Sequence, residues 1–502
     1  MTCDKHYNNS IKILLKSWLV IWGLISLSSS VLLANTTKSQ SGSDSVNVLL
    51  IFVDDLGAMD IGAYGSDFYE TPNIDNLAKS SVMFTTAYSS SPVCSPSRAA
   101  LQTGKAPERL KITDWIPGYT ARAKNRKGKA LETPEILQQL PLKEITLAET
   151  FKANGYDTFY AGKWHLGSEG FHPQQQGYDI NIGGYHKGSP PSYYSPYKNP
   201  QLADGPDGEY LPDRLTDETL SFIKQRDSDK PFFAMLSYYT VHTPIVAAKP
   251  YLAHYQNKKL SIEDKMPLFG QEKFGAHTRQ QQSDPAYASM VHALDMNIGK
   301  LINGLKEAGL DDNTLVIFTS DNGGLSIQGK KAPTSTLPFR AGKGWLYEGG
   351  LRIPMLINLP AKLKPSEIDE PVMLTDLAPT IYSLTGVNVA KESTFDGIDL
   401  SDLMINQKSL ARDAVKVYFP HYHASRWRPG FMIREGDWKL IYFYEEDSME
   451  LYDLSTDLSE SNNLINEHPA LAQKLKKKMN AWLDKVGASR PKQKLDNSQI
   501  ET

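Results

Sequence analysis

The sequence predicts an α/β fold in two parts: a large domain with a mostly parallel central sheet flanked by helices, and a smaller C-terminal domain with an antiparallel sheet and a covering helix. Three observations lead there. Nearly unbroken apolar runs such as "VNVLLIFV" (residues 46–53) suit strands buried on both faces. Helical stretches alternate with such runs through the first four-fifths of the chain, the pattern of a parallel sheet. After residue 404 the texture changes to short aromatic-rich strands with no helix between them.

Taken in order, residues 1–34 read as an export signal. Lys12 and Lys16 precede the apolar run 17–33, and Ala34 offers a small residue for cleavage. The run is short and serine-rich for a membrane span, so the expectation is an exported, periplasmic or secreted chain with no stable membrane insertion after cleavage. Residues 35–45 are a polar linker, and 46–404 form the expected catalytic domain. Within it the first strand stops at Asp54, Asp55 and Gly57, and Thr71–Pro72 opens a helix reaching Ser80. Thr146 caps a helix that Gly155 ends. "DTFYAGKWHLG", "PFFAMLSYYTVHTP" and, after a long helix over 286–308, "NTLVIFTSDNGG" each carry a strand into a polar loop. Residues 405–490 form the smaller domain. Its strands are "VKVYFP", "FMIR", "WKLIYF" and "ELYDL", and its helix gathers Leu471, Leu475, Met479, Trp482, Leu483 and Val486 on one face. Residues 491–502 are expected to be a disordered tail.

Charge excludes one class of partner. The chain has 54 Lys and Arg against 57 Asp and Glu, a net charge of −3. Losing residues 1–34 removes three lysines and one aspartate, so the mature charge is −3 − (+2) = −5. With no long basic run, the chain does not suit a nucleic-acid backbone. Only two cysteines occur, Cys3 and Cys94. Cys3 leaves with the signal, and a single thiol in an oxidising compartment is either a small buried apolar residue or a reactive group.

Loops at the carboxyl ends of parallel strands share one edge of the sheet and build the site there. Four such ends carry Asp54 and Asp55, Lys163 and His165, His242, and Asp321 and Asn322. Singly, each fits ordinary turn or surface chemistry. Together, three carboxylates and an amide are oxygen donors for a hard cation, Ca²⁺ or Mg²⁺. Lys163, His165, His242, Arg98 and Lys343 suit an anion. A cation beside positive donors grips a tetrahedral oxyanion undergoing group transfer.

"CSPSRAALQTG" (residues 94–104) fits, at every fixed position, the Cys-x-Pro-Ser-Arg-x-x-x-x-Thr-Gly signature of the type I sulfatases. "DDLG", "GKWHLG", "HTP", "SDNGG" and "GKGWLYEGG" follow in that family's order, so the chain resembles the family over nearly its whole mature length. The resemblance implies an alkaline-phosphatase-like fold and hydrolysis of sulfate esters. It also implies that a maturation enzyme reads the Cys-x-Pro-x-Arg core in the unfolded chain and oxidises Cys94 to Cα-formylglycine, whose hydrate is the nucleophile. By the same resemblance Asp54, Asp55, Asp321 and Asn322, with an oxygen of modified Cys94, would bind Ca²⁺. Arg98 would hold the gem-diol, Lys163 and Lys343 would clamp sulfate oxygens, His242 would protonate the leaving alkoxide, and His165 would take a proton during sulfate release.

"KITDWIPG" and "FPHYH" resemble bacterial enzymes acting on sulfated polysaccharides and oligosaccharides. His421, His423 and Arg426, with Trp427 and Arg428, are candidates for saccharide binding from the smaller domain, because sugars stack on aromatic faces and anionic sugars need Arg or His. The same residues equally suit packing of the seam between domains. "PPSYYSPY" (residues 190–197) would line the pocket or cover the sheet edge. Three other readings stay open at this point: a broad arylsulfatase, a phosphate or phosphonate ester hydrolase of the same superfamily, and an inactive glycan-binding protein of the cell envelope.

Overall fold

The computed structural model describes residues 45–118, 129–227, 229–262 and 267–494. The expected signal segment, nearly all of the linker and residues 495–502 of the expected tail lie outside the described residues. Among the described residues no helix is long and apolar enough to cross a membrane.

In chain order the large part contains β1 (Asn47–Val53), α1 (Pro72–Lys79), β2 (Val82–Phe84), α2 (Cys94–Thr103), α3 (Leu147–Ala153), β3 (Asp157–Gly162), β4 (Ile180–Ile182), α4 (Leu211–Gln225), β5 (Phe232–Ser237), α5 (Pro285–Glu307), β6 (Thr314–Ser320), β7 (Met355–Asn358), β8 (Ser366–Ile368) and α6 (Leu377–Thr385). The sheet order is β8-β2-β7-β6-β1-β5-β3-β4. Only β7 runs against its neighbours β6 and β2; every other pairing is parallel. All seven residues of β1 are buried, and they divide strictly by period. Leu49, Ile51 and Val53 face one core with α4 and α5. Val48, Leu50 and Phe52 face a second core with α2, α3 and α6. An apolar run of this kind can only be a central strand, since each such side chain left in water would forfeit about 1.5–3 kcal/mol.

The helix signals work as local chemistry dictates. Thr146 Oγ1 accepts from Glu149 N, and the Glu149 carboxylate accepts from Thr146 N at 2.9 Å, a reciprocal capping box that starts α3. Thr71 precedes Pro72 as expected, but its hydroxyl donates to Asp75 and accepts from Gly62 N instead of capping α1. α2 begins at Cys94 itself.

The smaller part is the antiparallel meander β9 (Val415–Phe419), β10 (Gly430–Glu435), β11 (Trp438–Phe443) and β12 (Ser448–Asp453), with helix α7 (Pro469–Lys485). Tyr418, Phe431, Ile433 and Leu440 face α7 and its Ala472, Leu475, Met479 and Leu483. The alternate residues Val417, Phe419, Met432 and Ile441 pack on Trp345, Tyr347 and Leu351 of the large part. A sheet apolar on both faces needs two partners, which makes the seam a second core, and chain from Ser45 onward is one compact unit. The expected tail is ordered at its start: Lys492 and Gln493 pair with Glu132 and Leu131, and Lys494 N donates to Ala130 O.

Candidate active site

Register builds the site. Parallel pairing sets Val53 beside Ser320, so the next residues of both strands, Asp54–Asp55 and Asp321–Asn322, emerge side by side at one sheet edge. On the other flank Gly162 pairs with Ser237, which brings Lys163, His165 and the His242 loop to the same edge. Gly162 has φ +98°, and a Cβ there would lie 1.9 Å from Ser237 O, so the turn that aims Lys163 needs glycine. Asp55 and His165 hold φ of 62° and 59°. Left-handed backbone at non-glycine residues costs of order 1–3 kcal/mol and clusters at functional sites.

A buried layer of alternating charge forms the floor. Arg98, four residues into α2, donates from Nε to Asp321 Oδ2 at 2.9 Å and from Nη1 to Lys163 O and Ser237 Oγ at 2.8 Å. Lys163 Nζ lies 2.7 Å from Asp54 Oδ2, and Lys343 Nζ lies 2.6 Å from Asp55 Oδ1. Lys343 Nζ also stands 3.4 Å from Cys94 Sγ. Three carboxylates thus face three cations, all buried. Burial would raise the Asp55 carboxyl, but Lys343, with His242 and Lys163, holds it well below the usual range. Burial likewise opposes, and Arg98 and Lys163 outweigh it, at Asp321, whose carboxyl is lowered. At Asp54 burial dominates, Lys163 offsets it only in part, and the carboxyl is raised. Two oxygens of this layer, Asp54 Oδ1 and Asn322 Oδ1, are buried without a hydrogen-bond partner. Unpartnered buried oxygen is costly, and with Asp55 and Asp321 beside it the set suits a hard divalent cation. Ligand atoms of Asp54, Asp55, Cys94 and His242 lie within 4.8 Å of one another.

The two imidazoles have their tautomers set by backbone carbonyls. His165 Nε2 lies 2.6 Å from Ile116 O, so the proton sits there and Nδ1 is left basic, buried and without a partner. His242 Nδ1 lies 2.7 Å from Thr243 O, which leaves Nε2 free to carry or take a proton, 3.8 Å from Asp55 Oδ2. Burial, then Lys163, pushes His165 well below its ordinary value; burial and Lys343 lower His242.

Above this floor opens a cavity of about 950 Å³. Of the sequence candidates, Asp55, Cys94, His165, His242, Lys343, His423 and Arg426 line it. Asp54, Arg98, Lys163, Asp321 and Asn322 do not reach its wall. They lie beneath, at 0–2 % exposure. Lys163 in particular is taken up by Asp54 rather than facing the cavity. His421 is the clearest departure from expectation. It is 1 % exposed and bonded to Thr113 Oγ1 at 2.8 Å, away from the cavity wall. Trp427 is likewise buried in the seam core, and Arg428 pairs with Glu445 and Glu446. No residue of "PPSYYSPY" lines the cavity. Tyr193 Oη reaches Tyr239 O at 2.7 Å and His242 O at 2.8 Å, so this loop braces the His242 turn. Trp115, Ile116 and Pro117 of "KITDWIPG" do form wall.

Sequence reasoning passed over His186, Lys187, Ser189 and His277, which also line the cavity. A signal for the first three existed: "GGYHKGS" follows the short strand β4, the same strand-then-polar-loop pattern that marked the other ends.

Comparison with known proteins is consistent along the chain. A family model described as sulfatase matches residues 46–387, and one described as N-sulphoglucosamine sulphohydrolase, C-terminal, matches residues 341–487. A sulfatase of Formosa agariphila is 30% identical, covering 94% of this chain and 94% of its own length. Human N-acetylgalactosamine-6-sulfatase is 31% identical, covering 73% of this chain and 67% of its own. The crystal structure of Ps i-CgsB in complex with k-i-k-neocarrahexaose matches with a TM-score of 0.70 at 28% identity, covering 91% of this chain and 96% of that one.

Proposed function

The chain belongs to the sulfatase family and is a sulfuric ester hydrolase, and from that premise we propose that it removes sulfate from sulfated saccharides, using a nucleophile made from Cys94 and one bound calcium. The observation that carries this reading is the place of Cys94. It opens α2, lines the cavity and has the Lys343 ammonium 3.4 Å from its sulfur. The buried oxygens of Asp54 and Asn322 that accept no hydrogen bond support the cation. The saccharide assignment is supported by a relative named for N-acetylgalactosamine 6-sulfate and by a related structure holding a neocarrahexaose.

Asp54, Asp55, Asp321 and Asn322 would hold the calcium, together with an oxygen of modified Cys94. When present, the ion supplies positive charge against sulfate oxygens, and formylglycine, hydrated, supplies the attacking hydroxyl. The protein's own side chains do the rest. Lys343 bridges Asp55 and residue 94, where its ammonium neutralises an incoming sulfate oxygen. With Nδ1–H held by Thr243 O, His242 gives a proton to the leaving alkoxide from Nε2 of its imidazolium form and is left neutral. His165 Nδ1, the one basic nitrogen that Ile116 O leaves it, accepts a proton from residue 94. Arg98 keeps Asp321 and the Lys163 carbonyl in register below, and Lys163 fixes the position of Asp54 Oδ2 at 2.7 Å. From the smaller part, His423 and Arg426 meet the saccharide, while His421 serves packing.

Maturation fits the same reading. Cys94, Pro96 and Arg98 are all buried in the folded helix, so an enzyme that recognises them must act before folding is complete. Export through the segment at residues 1–34 belongs to this proposal too. The deciding experiment is a peptide-mass measurement across Cys94, paired with sulfate release from sulfated saccharides. An unmodified thiol in a fully active preparation would overturn the nucleophile, and release of phosphate but no sulfate would overturn the reaction class.

A further inference from the structure

The charge of the cavity wall is one-sided. Among the described residues that line it, Asp55 is the single carboxylate, and Lys343 already takes it. Against this stand Lys187 and Arg426, with His186 and His277 beside them. Neither Lys187 nor Arg426 has an ion-pair partner among the described residues; the guanidinium of Arg426 makes a long 3.4 Å contact from Nη1 to Phe274 O. Nearby cations off the wall behave differently: Arg428 takes Glu445 and Glu446, Lys273 takes Glu450, and Arg340 takes Glu272.

Arg426 is also held with care. Its φ is 74°, left-handed backbone that a long side chain adopts only under constraint. The constraint is visible: Arg426 N donates to His423 O, Ser425 N to His423 Nδ1, and Trp345 Nε1 to Ser425 O at 3.1 Å, with Trp427 buried as the anchor. The turn places Arg426 on the cavity wall, with Nη1 against Phe274 O. Size adds the last link. About 950 Å³ lies at the upper end of ligand pockets, roughly 300–1,000 Å³, so more than one sugar ring fits.

We propose that Lys187 and Arg426 hold a second sulfate group of the substrate, making this an enzyme of multiply sulfated oligosaccharides. The inference rests on the sulfatase reading above and adds a second anion to it. In a sulfated polymer the charge recurs with each repeat, and a cavity spanning more than one ring encloses the next sulfate along with the scissile one. Lys187 comes from the loop after β4 and Arg426 from the smaller part, so the two parts of the molecule jointly select the substrate.

The test is calorimetric binding to the calcium-loaded full chain carrying Cys94→Ala, with sucrose octasulfate and glucose 6-sulfate as probes. The octasulfate should bind more tightly at low salt, and the advantage should shrink as salt screens exposed charge. Lys187→Ala and Arg426→Ala should each weaken the octasulfate by about tenfold, as loss of a charged hydrogen bond implies, and weaken glucose 6-sulfate much less. Lys477→Ala, at an exposed lysine on α7 far from the cavity wall in sequence and lining, controls for net charge. Equal losses in all three variants, or equal affinity for both probes, would overturn the second site. Turnover of an aryl sulfate by the mature wild-type chain is measured separately. Its failure would strike the sulfatase reading and leave the binding comparison standing.

Discussion

At the scale of single residues, the two hydroxyls of a hydrated aldehyde separate attack from release, and a serine supplies only one. Cys94→Ala should be inert. Cys94→Ser should accept one sulfuryl group slowly and stall, which peptide mass would reveal as one SO₃ on that peptide without multiple turnover. Multiple turnover by the serine variant would sink the formylglycine assignment. Asp321 and Asn322 make a second comparison. Sequence alone casts both as ligands that serve only the site, yet Asp321 also takes Arg98 from two nitrogens, at 2.9 and 2.8 Å. Removing one partner of a buried ion pair costs about 3–5 kcal/mol. Asp321→Ala should therefore lose activity and several degrees of Tm, whereas Asn322→Ala, which removes hydrogen bonds from Nδ2 to Asp55 and Gly323 O but no ion pair, should lose activity with a smaller change in Tm. A thermal melt beside an activity assay checks both.

At the scale of elements, the short helix Pro107–Leu110 after α2 carries a carboxyl unrelated to the reaction. Glu108 is 3 % exposed, and burial, with Asp396 adding to it, pushes its carboxyl from 4.5 up to about 8. Between those values the folded chain holds a proton that the unfolded chain has released. Stability is therefore greatest below the unfolded value and falls as pH rises toward 8. Glu108→Gln should flatten this part of the Tm-versus-pH curve and raise Tm at neutral pH. An unchanged slope would show that Glu108 titrates normally. The elements themselves follow from local pattern: the capping box at Thr146 and Glu149 and the alternation in β9–β12 each act within a few residues.

At the scale of the whole molecule, the parts meet over a core of Trp345, Tyr347, Trp427 and Phe443 and around Lys439, whose ammonium lies 2.7 Å from Glu348 and 2.8 Å from Glu460. The candidate cation site sits where β1 and β6 end, so a bound ion ties two central strands together. Calcium should then raise Tm in proportion to the logarithm of its concentration above Kd. Chelation should lower Tm and abolish turnover together, and calcium should restore both. Full activity in a chelated sample free of divalent ions would remove calcium from the mechanism.

What the sequence by itself determined is what short range can encode. Seven buried residues in "NVLLIFV" can only be a central strand, and Asp54–Asp55, "GKWH" and "SDN" stand where strands must end. The Cys-x-Pro-Ser-Arg run, read with the ordered motifs, names the family. The tertiary structure alone decided which of these polar groups face the cavity. Arg98, Lys163 and Asp321 sink below it because three carboxylates buried together need cations among them. His421 turns to Thr113 while His423, two residues on, reaches the cavity; both follow β9, and only the packed surface of the large part distinguishes them. The basic nitrogen of His165 is chosen by a carbonyl 49 residues away, a partner that no spacing in the chain announces. Lys187 and Arg426, distant in sequence, share one wall because the sheet and the seam bring their loops there. Periodicity reports the backbone and its apolar face, whereas the destination of a polar side chain is set by whatever the fold places opposite it.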